Sequence, residues 1–92
     1  MQFEWDATKN LENIRNHKID FTDVLEMFEG SMLIELDDRI DYGEDRWIGI
    51  GFLRTGVAVV VWTERQDDVI RIISARRANR YERKRFEQYL TD

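Results

Sequence analysis

Three kinds of side chain in this sequence are equipped to act on an anionic substrate: one histidine, several arginines, and a tryptophan close to a glutamate. His17 is the only histidine. Imidazole is the group whose ordinary pKa, about 6.5, suits proton transfer near neutrality. At the end of a helix it also has a purely structural use, because a cation there interacts favourably with the helix dipole. Arg46, Arg71 and Arg76 fall in strand-like runs, and Trp62, Glu64 and Arg65 close another. Guanidinium groups on a sheet can grip phosphate through paired hydrogen bonds, and an indole can stack on a base. The competing reading is that each arginine only neutralises a nearby Asp or Glu.

Other chemistries find less support. The loop from Asp37 to Asp45 carries five carboxylates, but no register of "ELDDRIDYGED" supplies the ligand spacing and glycine of an EF-hand. It reads as a solvated loop. Without cysteine and with one histidine, neither a disulfide framework nor a catalytic zinc site of the usual kind can be assembled. There is no Gly-x-Gly-x-x-Gly, no P-loop and no serine nucleophile elbow. The "GIGF" at 49–52 sits inside a strand pattern, where glycine marks a bulge or a close backbone approach. No cofactor is expected.

Charge is segregated along the chain. The 92 residues carry 14 Lys and Arg against 19 Asp and Glu, a net charge of −5. Yet "SARRANRYERKR", residues 74–85, holds six cations and one glutamate. Salt screens exposed charges beyond about 8–10 Å, so local fields decide contacts. An acidic body with a basic end can take a polyanion at that end.

The elements that must position these groups follow from periodicity. Length and composition, 42% hydrophobic with 12% aromatic, suit one domain over residues 1–92 with one core. "QFEW" alternates as a short strand with Phe3 and Trp5 on one side. Asp6 caps a helix that runs to about residue 17, and Asp20 opens a shorter one with Phe21, Val24, Leu25 and Phe28 on one stripe, stopped at Gly30. "SMLIEL", "RWIGIGFL", "VAVVVWTE" and "VIRIISAR" read as strands joined by short polar turns, hence as antiparallel neighbours. "VAVVV" is apolar on both alternations and belongs in the middle of the sheet. Asn79 with Glu82 forms a capping arrangement for a helix over about 80–90. The fold expected is α+β, in the order β-α-α-β-β-β-β-α, with helices on a mainly antiparallel sheet of four to five strands. No run reaches the eighteen apolar residues of a membrane span, and a cytoplasmic location is the expectation.

"FEWDATKNLENIRNHKIDFTDVLEMF" and "VVVWTERQDDVIRIISARRANRYERKRFE" together resemble the BrnT family of bacterial type II toxin–antitoxin toxins, over roughly residues 3–87. The most specific parts are "FEWD", the spacing of Asn13 and His17, "TER", and "RIISAR-A" followed by "ER". Lys18 departs from the pattern, since the family commonly has glycine after the histidine. The resemblance implies a RelE-like α+β fold and a toxin that cleaves RNA without a catalytic metal and arrests translation. It also implies a cognate BrnA-like ribbon–helix–helix antitoxin as partner, with operator DNA reached only through that antitoxin. A homodimer and a toxin–antitoxin heterotetramer are both compatible with it.

Metal-free cleavage proceeds by attack of the ribose 2′-hydroxyl on the adjacent phosphorus. It needs a proton acceptor, a proton donor and fixed positive charge. On this resemblance Arg76 and Lys9 are expected at the scissile phosphate, supported by Arg46. His17 and Glu64 are expected to move protons, and Trp62 to stack on a base. Arg80, Arg83, Lys84 and Arg85 are expected to hold flanking phosphates, while Arg71 and Arg77 are assigned to structural ion pairs. Two other readings stay open: a non-catalytic toxin-fold module acting with its antitoxin as corepressor, and a small α+β domain whose basic end is only a solvated face.

Overall fold

Asp6 caps the first helix, accepting hydrogen bonds from the backbone N–H groups of Thr8 at 2.8 Å and Lys9 at 3.1 Å. Asp20 does the same for the second through Thr22. The caps order the front of the chain into β1 (Gln2–Glu4), α1 (Ala7–His17), α2 (Phe21–Val24) and a 3-10 turn, Leu25–Glu29. Then come β2 (Met32–Asp37), β3 (Arg46–Leu53), β4 (Gly56–Arg65), β5 (Val69–Arg77) and α3 (Arg80–Thr91). This computed structural model describes residues 1–39 and 43–92. The centre of the acidic loop (Ile40, Asp41 and Tyr42) lies outside the described residues.

The protein is α+β, as the strand and helix patterns imply. Five strands form one mixed sheet in the order β1-β5-β4-β3-β2, with β1 parallel to β5 and every other pair antiparallel. β4, with its "VAVVV", is the central strand. One face packs against α2 and the 3-10 turn through Phe21, Val24, Met27, Val60, Trp62 and Ile72. The other packs against α3 through Ile50, Val59 and Phe86. Gly49 and Gly51 allow the first of these cores to close: a Cβ on Gly49 would lie 2.6 Å from Met32 Sδ and 2.8 Å from Trp62 Cζ3. The glycines therefore mark a close approach.

Two local features position side chains that matter below. The first is a bulge in β5. Cross-strand partners step from Ile72 opposite Trp62 to Ser74 opposite Val61, which leaves Ile73 as the extra residue. An extra residue reverses the alternation of everything beyond it. Ile70 and Ile72 face the α2 core, and so does Ala75; Ser74 and Arg76 are thereby turned to the α3 side. The second is Asn13, only 6% exposed. Its amide donates to the carbonyl of Ile19 at 2.9 Å, and its oxygen accepts from the N–H of Ala75 at 3.1 Å. One side chain thus ties α1 to the following loop and to β5. Among the described residues no helix is long and apolar enough to cross a membrane.

Candidate functional site

The α3 side of the sheet is only partly covered. Where α3 begins, a cavity of about 270 Å³ opens, lined by Glu35, Arg39, Ile48, Ile50, Val59, Val61, Ser74, Arg76, Glu82 and Arg85. Its floor is apolar strand surface. Its polar wall comes from the start of α3, the end of β5 and the β2 edge. The capping arrangement at Asn79 fixes the first of these: Asn79 accepts from the N–H of Glu82 at 2.8 Å, and Glu82 accepts from the N–H of Asn79 at 2.9 Å. A reciprocal cap of this kind satisfies two otherwise orphaned donors.

Glu82 also receives Arg76. Two parallel hydrogen bonds of 2.8 Å join the guanidinium to both carboxylate oxygens. They hold the Glu82 carboxyl below its ordinary range against an opposing effect of burial, and raise the pKa of Arg76. Arg85 bonds Glu35 at 2.7 Å, which likewise raises its pKa. Arg39 bonds both oxygens of Asp37 at 2.8 and 3.1 Å. Three guanidiniums and two carboxylates therefore line one opening in a chain whose net charge is −5. Arg76 and Arg39 are already engaged in the paired geometry that a phosphate oxygen pair also satisfies, and Arg85 makes a single contact.

Of the residues singled out in the sequence, Arg76 and Arg85 line this cavity, and the others do not. Arg46 starts β3 opposite Asp37 and lies 3.6 Å from Glu44. Lys9 and His17 are exposed on α1, and His17 occupies its last turn. Arg80 and Lys84 are exposed on α3, and Arg83 donates to the carbonyl of Ala78 at 2.9 Å. Glu64 shares the opposite face of the sheet with Trp62, two residues along. Trp62 is 3% exposed and packs edge-on against Phe28 in the core. It offers no free face to a base, and the expectation of a stacking surface there is corrected by its burial. Arg71 pairs with Glu4 at 2.6 Å, a structural ion pair. Arg77 bonds the Thr55 carbonyl and hydroxyl instead of a carboxylate.

Glu35, Arg39, Ser74 and Glu82 were not singled out as site residues from the sequence. Glu82 carried a signal as a helix cap, but nothing local indicated that it would hold Arg76. Among the described residues no three His, Cys, Asp or Glu side chains converge as a metal site.

The profile of the family described as "Ribonuclease toxin, BrnT, of type II toxin-antitoxin system" matches residues 5–82. The crystal structure of the Brucella abortus ribonuclease toxin BrnT superposes with a TM-score of 0.68 at 26% identity, covering 87% of this chain and 99% of that one. No curated protein sequence matches.

Proposed function

Since the chain belongs to the BrnT family of ribonuclease toxins from type II toxin–antitoxin systems, we propose that it is an endoribonuclease that cuts single-stranded RNA at the Arg76–Arg85 cavity. The observation that carries this reading is the gathering of Arg39, Arg76 and Arg85 around one opening over an apolar floor. Guanidiniums stay protonated at any physiological pH and present donors in a fixed fork, so they stabilise charge that builds on a phosphate.

The reaction is 2′-hydroxyl attack. Arg76 and Arg85 exchange their carboxylate partners for the non-bridging oxygens of the scissile phosphate, and Arg39 contacts a neighbouring phosphate. Glu35, released by Arg85, takes the proton of the 2′-hydroxyl as the 2′-oxygen bonds to phosphorus. The bond to the 5′-oxygen breaks, that oxygen takes a proton from solvent at the open mouth, and a 2′,3′-cyclic phosphate remains. Arg80 and Lys84, exposed on α3, hold flanking phosphates. Lys9, His17, Arg46 and Glu64 stand outside this step. No metal takes part in it. Cleavage of cellular RNA in the cytoplasm arrests translation, and a ribbon–helix–helix antitoxin of the BrnA type restrains the toxin.

Purified protein incubated with single-stranded RNA in excess chelator tests the reading. Fragments ending in cyclic phosphate are expected, and a 2′-deoxy nucleotide at the cleaved position should stop the cut. Intact RNA under these conditions would favour the non-catalytic corepressor.

A further inference from the structure

The two edges of the sheet are finished differently. β1 is three residues long, and α1 packs along β5 beyond it. β2 presents six residues, Met32–Asp37, and no described strand lies on its outer side. It contains no Pro or Lys, and its two carboxylates, Glu35 and Asp37, are held by Arg85 and Arg39, so little on the strand blunts an open edge. Ile34 and Leu36 are 49% and 47% exposed, and as alternate residues they share one face. That face continues into a hollow of about 420 Å³, whose lining includes Phe28, Met32, Ile34, Trp62, Glu64 and Tyr89.

We infer that the outer edge of β2 is where the antitoxin docks, an extended segment of it adding a sixth strand to the sheet. The inference rests on the reading of this chain as the toxin of a pair. Added strands gain affinity from main-chain hydrogen bonds and specificity from alternate side chains. Here the entering segment places apolar side chains over Ile34 and Leu36 and a Lys or Arg beside Glu64. Among the described residues Glu64 makes no ion pair, so a cation from the partner complements it. The same charge argues against RNA on this face, which is apolar with an acidic rim. It also argues against a second copy of the chain. Two β2 strands laid edge to edge would bring the exposed Glu35 and Asp38 of one copy close to those of the other, and like charges opposite one another destabilise a strand pair. Substrate and restraint therefore take opposite faces of one sheet.

Amide hydrogen exchange decides the matter, measured on the chain alone and in complex with its ribbon–helix–helix antitoxin, sought as the product of the gene immediately downstream. Exchange over residues 32–37 should slow at least tenfold in the complex. The doubly substituted Ile34→Lys, Leu36→Lys chain should bind that protein at least tenfold more weakly, while still cutting RNA when free. Both positions are half exposed, so the fold should survive; if it does not, the exchange data on the unmodified chain decide alone. Protection confined to the Arg76–Arg85 cavity would overturn the docking edge, as would unchanged binding by the folded double variant. So would slowing at 32–37 that needs only a higher concentration of the chain itself. RNA cutting that the downstream protein blocks without protecting β2 removes only this inference. A chain that neither cuts RNA nor binds the downstream protein removes the toxin reading with it.

Discussion

Arg76 and Glu82 are locked together by two parallel 2.8 Å hydrogen bonds, and the same glutamate closes the cap of α3. The carboxylate therefore has two tasks. It keeps the guanidinium extended into the cavity, and it fixes the start of the helix that brings Arg85. A phosphate that takes Arg76 must displace Glu82 from it, while the cap remains through Asn79. Glu82→Gln keeps the cap acceptor but weakens the hold on Arg76. It should leave cleavage within about tenfold of the unmodified chain and shift its pH profile, whereas Glu82→Ala should also loosen α3. Cleavage rate against pH, with helix content by circular dichroism, separates the two.

Acid should weaken the fold through the same contact. Glu82 lies below its ordinary value of 4.5, chiefly because Arg76 bonds it, and Asp20 below 3.8, chiefly because of the Thr22 N–H. Lowered carboxyl groups bind fewer protons in the folded chain than in the unfolded one. Their stabilisation is complete above the ordinary values and is lost as pH falls through the lowered ones. The melting temperature should therefore fall steadily from about pH 4.5 downward, and less steeply in Glu82→Gln.

Lys18 ends α1 in the left-handed conformation, φ 60° and ψ 30°, a shape that costs a side-chain-bearing residue about 1 kcal/mol relative to glycine. Lys18→Gly should raise stability by roughly that amount and the melting temperature by about 4–8 °C. The commonly found glycine after the histidine thus has a backbone reason. A differential scanning measurement showing no gain would contradict the strain argument.

Asn13 is the opposite case, a residue whose loss should be expensive. Asn13→Ala leaves the Ile19 carbonyl and the Ala75 N–H without partners, at a cost of about 2–4 kcal/mol. Urea unfolding should show it, with little change at the more exposed neighbours on α1. Asn13 is thus a structural tie between α1, the loop at Ile19 and β5.

Much of the architecture could be read from the chain because its signals are local. Asp6, Asp20 and the Asn79–Glu82 box each announce a helix start, and the apolar "VAVVV" announces the central strand. The site was harder to read for three physical reasons. The bulge at Ile73 reverses the facing of Ser74 and Arg76, and its only trace was an imperfect alternation in "RIIS". Trp62 looks the same in sequence whether it ends a strand in the core or at the surface; Phe28 decides. Arg39, in the loop that reads as solvated, and Glu35, inside a strand, carry no local sign of the cavity because their roles depend on tertiary neighbours. Glu35 meets Arg85 across fifty residues of chain, and Arg39 reaches the mouth of the cavity from the acidic loop.

Affinity for RNA should depend on salt in proportion to the cations engaged. Three guanidiniums on a single strand imply that log K falls with log salt at a slope of about −2, and Arg76→Ala should reduce its magnitude by about 0.7. Fluorescence anisotropy on a non-cleavable 2′-deoxy-substituted strand measures this slope without turnover.

The most direct test compares single-turnover cleavage of single-stranded RNA by Arg76→Gln, Arg85→Gln and His17→Ala against the unmodified chain, each verified as folded by its melting curve. Guanidinium contacts to a developing phosphate charge are worth about 10²–10³ in rate. Losses of that size for the two arginine variants, with His17→Ala within twofold, are the expected result. Near-normal cutting by both arginine variants, or collapse of activity in His17→Ala alone, would place the chemistry elsewhere on the molecule.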